Sequence, residues 1–411
     1  MFGMSTTPDR VLYNIPVWKH WLPTSSRPLD PLTPLVKDLP LVLILTPPPN
    51  PTEEARTREA MDEAQELGMF VEMRMRESDR FETRYFALVE EMWNRAVARE
   101  AEHGIKTEWF IFADDDTFYP DYDSLVRMLS EKDSKDEVLI GALSESTKQP
   151  NGDTSHTVHF LHFCRAKRKG SPMSILPGGA GIYVSRAIMK RINQPGFWKK
   201  CLEKFGGAFG GDAMVSACAA LALETVMTEL ITIDDTLHQL DIRGDSTGWF
   251  QSGFLITSLH HWGSWFTLFP PWHESGAGDL RKGITLVGKA SKAVGGDNWG
   301  RRYVFEDGKV VVSLGYSVTV HASALSESDL DASEHSWYEF TTFHPIRPGL
   351  AESVEKRNYY LTSVRVVDPG VVRLEHKNRE GERVDIIYDR RGSKPGGWVD
   401  SVTSAMRKRL R

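Results

Sequence analysis

The chain has 411 residues, of which 40% are hydrophobic and 26% are charged. That length and composition provide enough apolar surface for two or three ordinary domains, which excludes collagen-like and wholly disordered proteins. Lys and Arg total 50 against 56 Asp and Glu, a net charge of −6. No nucleic acid is therefore predicted as the main partner.

The N-terminal residues show no regular pattern. Residues 1–35 mix Pro, Ser, Thr and Trp without a period, and we expect them to form an irregular arm. The apolar run at residues 41–45 is far shorter than the roughly 20 residues needed to cross a bilayer. Residues 1–28 also lack the basic and apolar regions of a secretory signal. We therefore expect a soluble chain without a membrane span.

Strand and helix patterns alternate through the next part of the chain. Continuous apolar runs predict strands at residues 41–45, 69–75, 109–112, 138–143 and 182–184. Helical spacing of apolar residues predicts helices at residues 53–67, 85–97, 121–131 and 185–192. Ser185 is placed to cap the last of these helices. The alternation predicts an α/β domain over residues 36–284.

The pattern becomes antiparallel after about residue 285. Residues 303–305 and 310–314 are separated by Asp307 and Gly308, which tolerate the positive φ of a hairpin turn. Further apolar runs follow at residues 361–367, 371–375 and 384–388. The sequence therefore predicts a smaller β-rich module over residues 285–411.

Three consecutive carboxylates, Asp114, Asp115 and Asp116, follow the predicted strand at residues 109–112. Like charges this close disfavour mutual ionisation unless a cation neutralises them. Mn²⁺ and Mg²⁺ accept carboxylate oxygens as ligands, so Asp114 and Asp116 are the candidate metal ligands. The other interpretation is a solvated acidic turn that caps the next helix.

Two other classes of phosphate-handling protein fit the acidic segment less well. An aspartyl-phosphate phosphatase would need Thr or Val at the position that Phe118 occupies. A P-loop NTPase would need a Gly-x4-Gly-Lys-Ser/Thr segment, which the sequence lacks.

Three later segments carry further candidate residues. The small residues at 178–181, three glycines and Ala180, allow the protein backbone to approach a ligand closely, or simply form a tight turn. Asp212 ends a second glycine-rich segment and opens an apolar helix, where it also fits an N-cap. His260 and His261 lie among aromatic residues, and an imidazole is a good additional ligand for Mn²⁺. Adjacent histidines are otherwise typical of ordinary hydrogen bonding.

Two of the three cysteines flank the second glycine-rich segment. Cys201 and Cys218 can form a disulfide in an oxidising compartment, or remain two buried thiols. The sequence leaves both alternatives open.

Taken in order, the segments at residues 109–118, 140–145, 178–181, 211–212 and 258–262 resemble the fringe-like glycosyltransferases. More narrowly, they look like the fungal and plant-type branch of glycosyltransferase family 31, over about residues 80–320. The resemblance implies a GT-A fold and inverting, metal-dependent transfer from a UDP-sugar donor to a glycan or glycoprotein acceptor, in β-1,3 linkage. It also implies location in the Golgi lumen.

The resemblance further implies a role for each site residue. Asp212 matches the general base. The implied metal ligands for Mn²⁺, or alternatively Mg²⁺, are Asp114, Asp116 and His260, with His261 as the alternate to His260. The implied contacts to the donor or acceptor are Asp114, Asp115, Gly179, Ala180 and Gly181. The alternative function is a catalytically silent carbohydrate-binding or scaffold protein that keeps the fold.

Overall fold

The computed structural model describes residues 1–25, 39–48, 50–78, 80–142, 179–207, 210–225, 230–234, 236–238, 250–251, 253, 255–260, 262, 280–331 and 356–391. Structural statements below refer to these residues.

The first sheet has seven strands in the order β3-β2-β1-β4-β6-β5-β7. These strands are β1 (Phe2–Ser5), β2 (Val42–Thr46), β3 (Val71–Met75), β4 (Trp109–Phe112), β5 (Leu139–Gly141), β6 (Ile182–Ser185) and β7 (Ile231–Ile233). Only β6 runs antiparallel to its neighbours β4 and β5. Two further strands, β8 (Leu237–His238) and β9 (Ser258–Leu259), follow β7 along the chain and form a separate parallel pair.

Helices cover both faces of this sheet. They are α1 (Pro8–Trp18), α2 (Pro51–Glu66), α3 (Phe81–His103), α4 (Tyr122–Ser130), α5 (Arg186–Ile192), α6 (Phe197–Phe205), α7 (Gly211–Ala222) and α8 (Leu280–Val294). A ninth described helix, α9 (Glu327–Asp331), lies apart from this sheet, and its Leu330 packs with Val311 and Leu325. Alternation along β4 sends Phe110 and Phe112 to the face covered by α3, α5 and α7, and Ile111 to the opposite face. A continuously apolar strand is required because both faces are buried. The predicted strands and helices of this region are present.

The N-terminal segment is more ordered than the sequence predicts. In place of an irregular arm, β1 lies between β2 and β4 at the centre of the sheet, and α1 follows it directly. Four residues of β1 are too few to show a period. In α1 the pattern is obscured because Asn14 is buried and Pro16 lies inside the helix. The expectation of an irregular arm is therefore corrected for residues 2–18.

The second sheet has six antiparallel strands in the order β10-β11-β12-β13-β14-β15. They are β10 (Arg302–Phe305), β11 (Val310–Ser313), β12 (Ser317–His321), β13 (Lys356–Asp368), β14 (Val371–Lys377) and β15 (Arg383–Asp389). The turn between β10 and β11 has positive φ at Asp307 and Gly308, 53° and 98°. An α/β domain with a separate antiparallel β sheet at its C-terminal side is thus confirmed.

Helix α8 connects the two sheets. It contacts α1 and β13, and residues of both sheets belong to one apolar core. The predicted boundary between residues 284 and 285 falls inside this helix, so the division of the chain into domains stays a prediction.

A disulfide joins Cys201 of α6 to Cys218 of α7. Both residues are fully buried, and the alternative of two free thiols is thereby excluded. Because α7 also carries Asp212, the disulfide fixes the helix of a candidate site residue. In the described part of the chain, no helix has the length and apolar character to span a membrane.

We expect loss of this disulfide to destabilise the protein. The two cysteines are 17 residues apart, and opening a loop of that size lowers the free energy of unfolding by about 3 kcal/mol. Urea unfolding with and without a reductant measures the effect. The double variant Cys201→Ser, Cys218→Ser is the control, because its unfolding should not respond to reductant. A reductant-insensitive midpoint in the unaltered chain would contradict the prediction.

Candidate active site

Three segments meet at the carboxyl end of the first sheet. The acidic turn follows β4, and the segment after it exchanges two backbone hydrogen bonds with the end of β9. Phe118 N donates to Leu259 O at 2.8 Å, and Leu259 N donates to Phe118 O at 2.7 Å. Parallel strands end at the same edge, so the segment after β1 also arrives here. This pairing brings His260 to the acidic turn.

His260 lies between two of the three carboxylates. Its Nε2 is 3.2 Å from Asp114 Oδ2 and 3.2 Å from Asp116 Oδ1. One ligand atom from each residue lies within 4.8 Å of the other two. The imidazole is buried, whereas the two carboxylates are partly open, with side chains 33% and 16% exposed. His261 lies outside the described residues.

The charges of this cluster determine the protonation of the ring. Burial alone would lower the pKa of His260, but hydrogen bonds to Asp114 and Asp116 and their negative charges outweigh it and raise the pKa to about 9. At neutral pH the ring is therefore an imidazolium between two carboxylates. A divalent cation held here would replace that proton, because only the neutral ring can be a ligand.

The donor set fits a divalent cation such as Mn²⁺. Two carboxylate oxygens and one imidazole nitrogen are ligand types that this ion accepts, and they converge from two separate segments. The acidic turn is therefore more than a helix cap. The capping role in α4 belongs to Asp121, whose side chain accepts from Ser124 N.

The first glycine-rich segment forms one wall of this cluster. Thr117 Oγ1 accepts a hydrogen bond from Asp114 N at 3.1 Å and donates one to Gly179 O at 2.7 Å. A Cβ atom on Gly179 would overlap the ring of His260. Gly179 is thus needed for close approach. Gly178 lies outside the described residues.

The other two residues of this segment face the core. Ala180 is fully buried in the apolar cluster, and its carbonyl accepts from Ser258 Oγ at 2.7 Å. Gly181 has a φ of +101°, and a Cβ atom there would lie 2.6 Å from Tyr183 Oη. The bond to Ser258 joins this turn to β9, and the predicted contact of Ala180 and Gly181 with the donor or acceptor stays a prediction.

Asp115 is bound by residues other than His260. The sequence resemblance implies a contact with the donor, but this carboxylate is 3% exposed and bonded to the N-terminal segment. Thr6 Oγ1 donates to it, and Arg10 forms a paired contact in which Nε lies 2.6 Å from Oδ2. Trp18 Nε1 donates to the Asp115 backbone carbonyl at 3.0 Å.

Arg10 also approaches the metal-ligand carboxylates. Its Nη2 lies 3.8 Å from Asp116 Oδ2, so one guanidinium reduces the repulsion between adjacent acids. Burial raises the pKa of Asp115, although the bonds to Arg10 and Thr6 act in the opposite direction. Sequence reasoning missed Arg10. One signal was available in the sequence. Asp115 was not one of the predicted metal ligands, and a buried carboxylate requires a cation as its partner.

Asp212 lies in the first turn of α7. The N-cap of that helix is Gly210, with a φ of +90°, so the capping interpretation of Asp212 does not hold. Its Oδ1 accepts from Ala213 N at 2.7 Å, and a negative charge in a first turn is favourable. Gly211 packs directly on Tyr85, where a Cβ atom would lie 2.5 Å from Tyr85 Cβ.

Two protein families match overlapping parts of the chain. The Fringe-like family model matches residues 75–242, and a family described as a protein of unknown function, DUF604, matches residues 173–348. The two matches include Asp114, Asp116, Asp212 and His260. The segment with Thr6 and Arg10 lies outside both. The curated proteins contain no significant match to the sequence.

Two solved structures are distantly similar to the chain. The apo form of mouse xyloside xylosyltransferase 1 is similar over 57% of this chain and 84% of its own, with 12% identity and a TM-score of 0.32. A mannosyltransferase from Pyrobaculum calidifontis, in complex with GDP-Man and Mn²⁺, is similar over 61% of this chain and 59% of its own. Its identity is 10% and its TM-score is 0.27.

Gly179→Ala should displace His260 and weaken Mn²⁺ binding by roughly tenfold or more, because the new methyl group occupies the space of the imidazole. Calorimetric titration with Mn²⁺ measures the loss. Gly207→Ala is the matched control, since a methyl group there would meet nothing within 4 Å. Equal Mn²⁺ affinity in both variants would show that His260 is not a ligand.

A double-mutant cycle of Arg10→Met and Asp115→Asn should give a coupling of roughly 1 to 2 kcal/mol in the free energy of unfolding. The value lies below that of a fully buried pair because the Arg10 side chain is 58% exposed. Urea unfolding of the four proteins measures it. Additive effects of the two substitutions would contradict a direct ion pair.

Proposed function

The chain is fringe-like over residues 75–242, as its sequence predicts, and we propose that it is an inverting, metal-dependent glycosyltransferase. It transfers a sugar from a UDP-sugar to a hydroxyl group of a glycan or glycoprotein, in β-1,3 linkage. The family match supports a glycosyltransferase. The observation that carries the proposal is the convergence of Asp114, Asp116 and His260 within one ligand sphere at the sheet edge.

The three convergent residues hold the cation, Mn²⁺ or alternatively Mg²⁺. A bound divalent cation of this kind supplies Lewis-acid stabilisation of the charge that develops on the leaving diphosphate. Asp116 is the principal ligand in this proposal, and buried His260 fixes the position of the set. Gly179 borders the ligands and leaves room for the donor. Asp115 supports the site by bonding the acidic turn to Thr6 and Arg10.

Asp212 acts as the general base. The acceptor oxygen forms a bond to the anomeric carbon while the bond from that carbon to the UDP oxygen breaks. The hydroxyl proton passes to the Asp212 carboxylate, and UDP leaves with the electron pair of the broken bond. Attack on the face opposite UDP inverts the configuration. Proton transfer to a positioned base contributes roughly 10²- to 10⁴-fold to the rate.

The remaining parts of the chain support this activity. Residues 36–284 form the catalytic domain in this proposal, completed by α1 and β1, and the second sheet covers its apolar face through α8. The Cys201–Cys218 disulfide suits an oxidising compartment, because such bonds are rare in reducing ones. It supports location in the Golgi lumen.

UDP release in the presence of Mn²⁺ tests the proposal. Asp116→Asn should abolish metal-dependent release, and Asp212→Asn should lower the turnover rate by roughly 10²- to 10⁴-fold because the acceptor proton loses its base. Asp62→Asn, an exposed substitution on α2, is the charge-matched control. Full activity in both site variants would remove the mechanism.

The same assay, run over a panel of UDP-sugars, identifies the sugar. Candidates are UDP-galactose, UDP-N-acetylglucosamine and UDP-glucose, which differ in a few hydroxyl and amide contacts. Metal-dependent UDP binding without turnover of any donor would favour a silent carbohydrate-binding protein. Slow hydrolysis of one donor in the absence of acceptor would favour the enzyme.

A further inference from the structure

Tyr85 has a buried hydroxyl group that the proposed mechanism does not use. The residue lies in the first turns of α3 and is 2% exposed. Its Oη has no hydrogen-bond partner among the residues that the structure describes. A buried hydroxyl without a partner is costly, so its presence beside a candidate active site requires an explanation.

Tyr85 is situated between the two halves of the site. Its ring lies 6.2 Å from the ring of Phe112, the last residue of β4 before the acidic turn. On the other side it meets the backbone of Gly211, where a Cβ atom would lie 2.5 Å from Tyr85 Cβ. Tyr85 therefore separates the strand that leads to Asp114 from the helix that carries Asp212.

Burial and then the negative charges of Asp114 and Asp212 raise the pKa of Tyr85. The phenol accordingly keeps its proton and can act as a hydrogen-bond donor. The carboxylates whose charges act on this hydroxyl are those of Asp114 and Asp212. The titratable groups that act on the hydroxyl are Asp114, Tyr119 and Asp212. Two nearby arginines bind elsewhere. Arg84 Nε donates to Ser5 Oγ at 3.1 Å, and Arg80 Nη1 donates to Gly206 O at 2.6 Å.

We propose that the Tyr85 hydroxyl donates a hydrogen bond to the Asp212 carboxylate in the reacting complex, which makes Tyr85 a positioning residue for the general base. The inference rests on the proposed function. Asp212 is the favoured acceptor because its charge acts on the Tyr85 hydroxyl, and because it directly follows Gly211, which packs on Cβ, Cγ and Cδ1 of Tyr85. Asp114 is already engaged by His260 at 3.2 Å. Catalytic hydrogen bonds are often long before substrate binds and shorten in the complex.

This bond has two effects on the base. It fixes the orientation of the carboxylate toward the acceptor hydroxyl. It also stabilises the ionised form, since a hydrogen bond to a charged carboxylate lowers its pKa. Without the bond, we expect the acidic limb of the rate profile to move to higher pH, while the main loss at neutral pH comes from the orientation of the carboxylate.

Tyr85→Phe removes the hydroxyl and keeps the ring that packs on Gly211. We expect kcat/KM to fall roughly ten- to hundredfold, with most of the loss in kcat. The acidic limb of the kcat/KM profile should move up by roughly one pH unit. Tyr359→Phe is the matched control, because its hydroxyl donates to Glu382 Oε2 at 3.0 Å in the second sheet.

A double-mutant cycle shows whether Tyr85 acts through Asp212. In the Asp212→Asn background, Tyr85→Phe should cause little further loss. Multiplicative losses with an unmoved acidic limb would overturn the proposal. So would a loss that disappears with one deoxy-sugar donor, since it would make Tyr85 a contact to the hydroxyl that this donor lacks. Absence of turnover in the unaltered chain would refute the proposed function as well, whereas the other two results leave it standing.

Discussion

Three carboxylates in consecutive positions can share one turn only if positive charge and hydrogen-bond donors compensate them. Asp114 and Asp116 are compensated by His260, and Asp115 is compensated by Arg10 and Thr6. Arg10 also lies 3.8 Å from Asp116, so the two cations together offset the repulsion among the three carboxylates. The side chains of Asp114 and Asp116 remain partly exposed and both contact His260, while Asp115 is buried and bonded to the N-terminal segment. This division of charge is the condition for a metal site at the strand end.

Close backbone approach then completes the arrangement. His260 fits beside the acidic turn because Gly179 has no side chain, and α7 fits beside Tyr85 because Gly211 has none. The two glycine-rich segments therefore have steric roles in this fold. Gly179 leaves space for His260, and Gly211 leaves space for Tyr85. The apolar strands and the covering helices supply a rigid frame, and the small residues set how near its parts come.

Much of this could be predicted from the sequence, for reasons that particular residues show. The apolar run of β4 and the spacing in α3 are long or regular enough to indicate their structure, and the Asp307 and Gly308 turn has a distinct backbone requirement. The grouping of Asp114, Asp116 and His260 was predictable because carboxylate and imidazole are both ligand types that Mn²⁺ accepts. The contacts of Arg10 were not, since its separation from Asp115 by 105 residues leaves no local signal. Ala180 was expected near the ligand, yet its methyl group belongs to the core.

The central position of β1 has a consequence for biosynthesis. Thr6 and its partner Asp115 are 109 residues apart, and β1 pairs on one side with β4. During translation the first strand emerges long before the strand that it must join, so the sheet cannot close early. Closing such a long loop carries a large entropic penalty before any contact forms. We therefore expect the acidic turn to assemble only after β4 has been synthesised and has paired with β1.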